Sequence, residues 1–150
     1  MNTSETTSTQ PAIVEQMEIQ ASPEKVFDAL VQPEQLRQWW GSSDMYRTEW
    51  KVDLRVNGEY LCTATAGEME MTVRGRFLEI DGPRRLVYTW NASWDPSGET
   101  TVRYDLQARG ANTLVVVTQT RFALDADRAG YSEGWVRILT WLAAFVQRAK

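Results

Sequence analysis

The sequence predicts an α+β fold in which a strongly bent antiparallel sheet curls around one long C-terminal helix, with two short helices placed after the first strand. Three observations carry the prediction. The closing segment GYSEGWVRILTWLAAFVQRAK is apolar around most of a helical wheel. At about 100° per residue, Trp141, Phe145, Ile138, Leu142, Trp135, Val146, Leu139, Ala143 and Val136 share one arc of roughly 220°, far more than a flat partner covers. Arg137, Thr140, Gln147 and Arg148 share the remaining strip with Ala144. The middle of the chain alternates apolar and polar residues with period two, the pattern of a sheet covered on one face. Turn sequences such as VNGEY, TAGE, DGPRR, DPSGE and RGANT divide that stretch into hairpins.

Each element follows in order. AIVEQMEIQA reads as the first strand, beginning at Ile13 and Val14, with Met17 and Ile19 on one face. SPEKVFDALV then opens a helix: Ser22 is a good N-cap, Pro23 suits the first helical position, and Glu24 favours the positive end of the macrodipole. Val26, Phe27, Leu30 and Val31 form its apolar stripe. Pro33 ends that helix and starts a second, where Leu36, Trp39 and Trp40 add bulk before Gly41 stops it. Strands are expected at about 44–54, 59–66, 69–80, 85–94, 100–109 and 113–122.

Parity assigns the strand faces. Met69, Met71, Val73, Gly75 and Phe77 oppose Glu70, Thr72, Arg74 and Arg76; Leu86, Tyr88, Trp90 and Trp94 oppose Val87, Thr89, Asn91 and Ser93; Val102, Tyr104 and Leu106 oppose Thr101, Arg103, Asp105 and Gln107. The charged set therefore reads as a solvated outer surface. Asn57-Gly58 is expected to form a hairpin turn with Gly58 supplying the positive φ, Gly75 to mark a bend in the long strand, and Gly134 to permit close approach of helix to sheet. Asp53 and Arg55 share a face at a strand end and read as a structural ion pair.

Composition narrows the function. The 150 residues suit one domain, taken here as 12–150, and the polar opening 1–11 lacks the basic start and apolar run of a targeting peptide and reads as a disordered tail. A net charge of -4 argues against nucleic acid as a partner, and no apolar run predicts membrane insertion. Cytoplasmic residence, as monomer or homodimer, is the expectation. Histidine is absent and Cys62 is the single cysteine, which removes the Ser-His and Cys-His arrangements and the usual metal ligands, so neither metal nor cofactor is expected.

The inward residues, with seven Trp, five Tyr and four Phe in the chain, point to binding rather than chemistry. Trp39, Trp40, Trp50, Tyr60, Met71, Val73, Tyr88, Trp90, Tyr104, Trp135, Leu139 and Leu142 are the candidate lining of an apolar cavity between the sheet and the last helix. Cys62, Met69 and Phe77 share their face. The bland alternative is a filled core, since a small domain needs such residues to fold.

EIQASPEKVFDALVQPEQLRQWW, DLRVNGEY, GRFLEIDGPRRLVYTW and GWVRILTWLAAFV resemble, in this order, the activator-of-Hsp90-ATPase-like family of the START/Bet v 1-like superfamily. The resemblance spans 12–150 and implies a helix-grip fold. It also implies a hydrophobic ligand such as a lipid, sterol or polyketide. The other roles it implies are a chaperone-associated or stress-related adaptor, and an enzyme of the cyclase or hydrolase kind working through a pocket Tyr, Asp or Arg. Relatives often carry a His three residues before the Gly-Trp of the last helix; this chain has Tyr131 there, and no catalytic residue is assigned.

Overall fold

A computed structural model describes residues 12–41, 47–93, 99–120 and 127–148, without the side chains of 12 and 127–131. The opening tail, Trp94, most of the DPSGE turn, Phe122 and the side chain of Tyr131 lie outside that set. The elements are β1 (Ala12–Ile19), α1 (Pro23–Val31), α2 (Pro33–Trp39), β2 (Arg47–Val52), β3 (Glu59–Ala66), β4 (Met69–Asp81), β5 (Arg85–Ala92), β6 (Thr100–Arg109), β7 (Asn112–Thr120) and α3 (Asp127–Arg148).

All seven strands form one antiparallel sheet in the order β1-β7-β6-β5-β4-β3-β2. The chain begins at one edge, and α1 and α2 carry it across to the other. Successive hairpins then walk back until β7 pairs with β1. This is the helix-grip arrangement, and it leaves one sheet face to the helices. Along β7 the burial alternates strictly, with Thr113, Val115, Val117 and Gln119 inward.

The helix starts are built from local chemistry. Ser22, in an extended conformation, accepts the backbone N–H of Lys25 at 3.2 Å, and Pro23 follows where no N–H is needed. Val26, Phe27, Ala29, Leu30 and Val31 are buried in α1. Gln32 ends α1 and precedes Pro33, so α2 begins at once. Trp39 closes the angle between the two helices: its indole N–H donates to the Ala29 carbonyl at 2.8 Å.

Curvature arises between β4 and β5. The register slips by one residue between Phe77 and Glu79, so Leu78 is bulged out and exposed. Gly75 has a different reason from the bend expected at it: a Cβ there would lie 1.9 Å from the Thr89 carbonyl oxygen, so only glycine permits the backbone approach. Thr89 is a junction, because its carbonyl accepts the Tyr60 hydroxyl at 2.7 Å and its Oγ1 accepts the Arg76 N–H at 2.9 Å.

Two other glycine readings are overturned. Asn57, at φ 71, takes the left-handed conformation in place of Gly58. Gly58 is required because a Cβ there would lie 2.1 Å from the Asp53 carbonyl oxygen. The loop also pairs with β4 rather than closing a tight hairpin, since the Asn57 N–H donates to the Phe77 carbonyl at 2.8 Å and the Phe77 N–H to the Gly58 carbonyl at 2.9 Å. At Gly134 an added Cβ would meet nothing within 4 Å, so no close approach depends on it.

The sheet covers less of α3 than its apolar arc. Trp135, Ile138, Leu139, Leu142 and Val146 are buried, and they span only about 100° of the wheel. Trp141, Ala143 and Phe145 on the flanks are half-buried, and Val136 is 46 % exposed. On the outer face Glu70, Arg74 and Arg76 are exposed, and Arg85 and Arg103 both grip Asp105, at 3.0 and 2.8 Å. Burial alone would raise the Asp105 carboxyl, but hydrogen bonds from Arg103 and Arg85 outweigh it and hold the group below its usual range. Asp53 and Arg55 form an exposed ion pair at 2.8 Å.

Candidate functional site

The inner face of the sheet carries a continuous run of rings. Tyr60 on β3 meets Tyr88 on β5 edge to face at 5.2 Å and tilts against Phe77 on β4 at 5.7 Å. Tyr88 also packs on Tyr104 of β6 at 6.3 Å. Phe77 and Tyr88 are directly paired in register, while Tyr104 lies diagonally from Tyr88, opposite Leu86.

Over this floor lies a partly open hollow of about 30 Å³, room for one or two water molecules. Leu30 and Val31 of α1, and Leu36, Trp39 and the following Trp40 of α2, form one side. Trp50 and Val52 of β2 form the other, and Tyr60, Phe77, Tyr88, Trp90 and Tyr104 the floor. Trp40 and Trp50 stand edge to face across the rim at 5.9 Å, and both are half-buried. Among the described residues, none around the hollow carries a charge.

Several polar atoms of these side chains have local partners. The Trp50 N–H donates to Thr48 Oγ1 at 3.2 Å, and the Tyr60 and Trp39 partners are the backbone carbonyls already named. Tyr88 is half-buried and Tyr104 is buried. Burial pushes the phenols of Tyr60, Tyr88 and Tyr104 above their ordinary range, so all three remain protonated donors at neutral pH. Burial likewise pushes the Cys62 thiol up to about 12, which removes its nucleophilic form.

Of the twelve side chains singled out from the sequence, the hollow brings together Trp39, Trp40, Trp50, Tyr60, Tyr88, Trp90 and Tyr104. Met71, Val73, Trp135, Leu139 and Leu142 are not around it. Val73 is core, Met71 is half-buried, and Met69 at the end of the same face is 60 % exposed, because cover runs out toward the Gly67 turn. Leu139 and Leu142 are packed solid. Trp135 fills the space in which a cavity against α3 was expected. Its ring packs on Trp90 at 5.6 Å and on Tyr104 at 6.0 Å. Its N–H donates to Gln119 Oε1 at 2.6 Å, and Gln119 Nε2 donates to Thr100 Oγ1 at 2.8 Å.

The hollow therefore sits under α1 and α2 rather than against α3. Leu30, Val31 and Leu36 were missed because the stripes of two short helices read as ordinary core, although their place after the first strand already suggested that they close the open end. Val52 follows from Trp50 by strand parity. Phe77 shares the inward face of Val73.

With the geometry established, comparison with known proteins places the chain. Residues 20–147 match the family described as activator of Hsp90 ATPase homolog 1-like protein. The chain belongs to that family. No curated protein matches it. Among solved structures similar to this family member, a Chromobacterium violaceum protein is 26% identical, with 90% of this chain and 96% of that one covered and a TM-score of 0.76. A Nitrosomonas europaea protein is 22% identical over 93% of this chain and 96% of its own, with a TM-score of 0.77. CalU16 from Micromonospora echinospora is 22% identical over 91% and 76%, with a TM-score of 0.70. These likenesses establish the fold. Among the described residues no helix is long and apolar enough to cross a membrane, and no group of three or more Cys, Asp or Glu side chains is placed to hold a metal ion.

Proposed function

We propose that the protein binds a small hydrophobic molecule, aromatic or lipid-like, in the hollow beneath α1 and α2. The observation that carries this reading is a ring-lined concavity with a partly open mouth, uncharged among the described residues and walled by two short helices on one side and an edge strand on the other. Occupied small-molecule sites typically enclose roughly 300–1,000 Å³, so a ligand enters by displacing the rim. Trp40 and Trp50 are the parts able to give way. They are half-buried, meet each other edge to face, and Trp40 stands at the end of α2 as its C-cap. Four tryptophans around the hollow, Trp39, Trp40, Trp50 and Trp90, also make occupancy readable by fluorescence.

The test is titration with 2-ethylnaphthalene, followed by tryptophan emission and by melting temperature. A saturable emission change with a rise in melting temperature is expected, because a ligand bound only to the folded state stabilises it by mass action. Val52→Phe, which adds a ring at the rim, should abolish both signals while preserving the fold. No saturable change in the unmodified protein would overturn the reading. A chaperone-associated role rests on the family description; stoichiometric recovery of an Hsp90-class chaperone in a native pull-down would bring it forward.

A further inference from the structure

We propose that β2 is a self-association edge: a second copy of this chain lays its own β2 antiparallel along it, Trp50 opposite Trp50, and joins the two sheets into one. The inference does not depend on the hollow being a ligand site.

The two edges of the sheet are finished differently. At β1, Glu15 lies on the inward face with Ile13 and Ile19 and is bonded by the Ser132 hydroxyl of α3, and Gln147 of α3 accepts the Gln20 N–H at 2.9 Å. An inward charge and a covering helix are two of the devices that keep an edge from pairing. β2 has neither a proline nor a bulge, since its register with β3 runs unbroken from Arg47↔Thr65 to Val52↔Tyr60. Its inward residues Thr48, Trp50 and Val52 are uncharged. Among the described residues no strand pairs with its outer side.

Hydrogen-bond parity shows what that side offers. The Asp53 N–H donates to the Glu59 carbonyl at 2.9 Å, one step beyond the Val52↔Tyr60 pair. Backbone groups alternate along an antiparallel ladder, so Lys51, Glu49 and Arg47 also turn toward β3, while Thr48, Trp50 and Val52 turn their N–H and carbonyl groups to the free edge. With Trp50 opposite Trp50, Thr48 comes opposite Val52, and each of these pairs exchanges two hydrogen bonds.

Charge selects this register over its neighbours. Arg47, Glu49, Lys51 and Asp53 are exposed and alternate in sign on the outer face. Centring on Trp50 places Glu49 opposite Lys51 and Arg47 opposite Asp53, so every charge faces its opposite, and each pairing occurs twice by symmetry. Centring on Glu49 sets Glu49 against itself and Arg47 against Lys51. Centring on Lys51 sets Lys51 against itself and Glu49 against Asp53. Both are repulsive throughout. Centring on Thr48 or Val52 runs half of the six-residue strand off the end of its partner. The stretch RTEWKVD is thus complementary to itself when read backwards about Trp50.

Sedimentation equilibrium of the full chain at roughly 1–500 µM tests the proposal, because a single strand pair is a small interface whose occupancy depends on concentration. A monomer–dimer equilibrium is expected. Glu49→Lys and Lys51→Glu each set like charges opposite one another twice, and each should weaken the dimer at least about tenfold. Mixing the two variant chains brings the cations of one edge opposite the carboxylates of the other, and should restore dimerisation to within about threefold of the unmodified protein. Both side chains are exposed on the outer face, so the variants should keep the melting temperature of the parent. A monomer at every concentration would overturn the proposal. So would a dimer that the single variants leave intact, or one that the mixture does not restore, since either result places the contact elsewhere.

Discussion

Two neighbouring stretches of one sheet face are built from the same kinds of residue and end differently. Under α3, Trp135 lies across Trp90 and Tyr104 and the interior is solid; under α1 and α2, Tyr60, Phe77 and Tyr88 floor a hollow. The contrast lies in how each opposing ring is held. Trp135 is 2 % exposed and locked by a buried chain running from its indole N–H to Gln119, on to Thr100, and from Thr100 Oγ1 to the Trp90 carbonyl at 3.2 Å. Trp40 and Trp50 are only half-buried; they meet edge to face between a helix end and an edge strand, and Trp40 also packs on Trp141 of α3 at 6.2 Å. Aromatic content alone therefore does not decide between core and cavity. The anchoring of the ring that would fill the space does.

The strongest way to break the comparison is Trp135→Ala. Removing the ring should cost about 3–5 kcal/mol, and it also leaves Gln119 Oε1 without its donor in a site that is fully buried. Urea unfolding would measure the loss, and a cost near 1 kcal/mol or less would mean that the two ends are alike.

High pH tests the hollow end. Tyr60, Tyr88 and Tyr104 have folded-state pKa values raised above the unfolded range near 10. Above that range the native state holds protons that the unfolded chain has released, so their contribution is intact below pH of about 10 and is lost as pH climbs through the folded values. Stability should fall steeply there, and Tyr88→Phe should flatten the fall. A flat stability profile to pH of about 12 would contradict the enclosure of these hydroxyls.

The smallest stability effect is expected at the rim. Trp40→Ala should cost less than about 2 kcal/mol, because the residue is incompletely buried, while raising the association rate for 2-ethylnaphthalene. An unchanged rate would show that Trp40 does not obstruct entry, and stopped-flow emission would read it.

Legibility in the sequence followed how local each rule was. Ser22 and Pro23 announced α1, Pro33 announced α2, and period-two alternation placed β4, β5 and β6 on their correct faces. Those features depend on a residue and its near neighbours. The width of the α3 stripe misled, since nine apolar residues on a wheel say how much surface wants cover and not how much receives it. The lining of the hollow was only partly legible for the same reason. Tyr60, Tyr88, Trp90 and Tyr104 follow from parity, whereas the choice between Trp135 and Leu36 as neighbours of the hollow depends on which helix lies over which strands.

By itself the sequence determined the order of elements, the inward faces of β4, β5 and β6 and the aromatic character of the interior. All of these are set by residue type and spacing along the chain. The tertiary structure alone decided that Trp135 fills its end of the grip, that the hollow falls beneath α1 and α2, and that the Tyr60 hydroxyl meets the Thr89 carbonyl. Those outcomes depend on distances between residues such as Trp135 and Gln119, or Tyr60 and Thr89, whose meeting is arranged by sheet curvature and helix placement rather than by any local pattern.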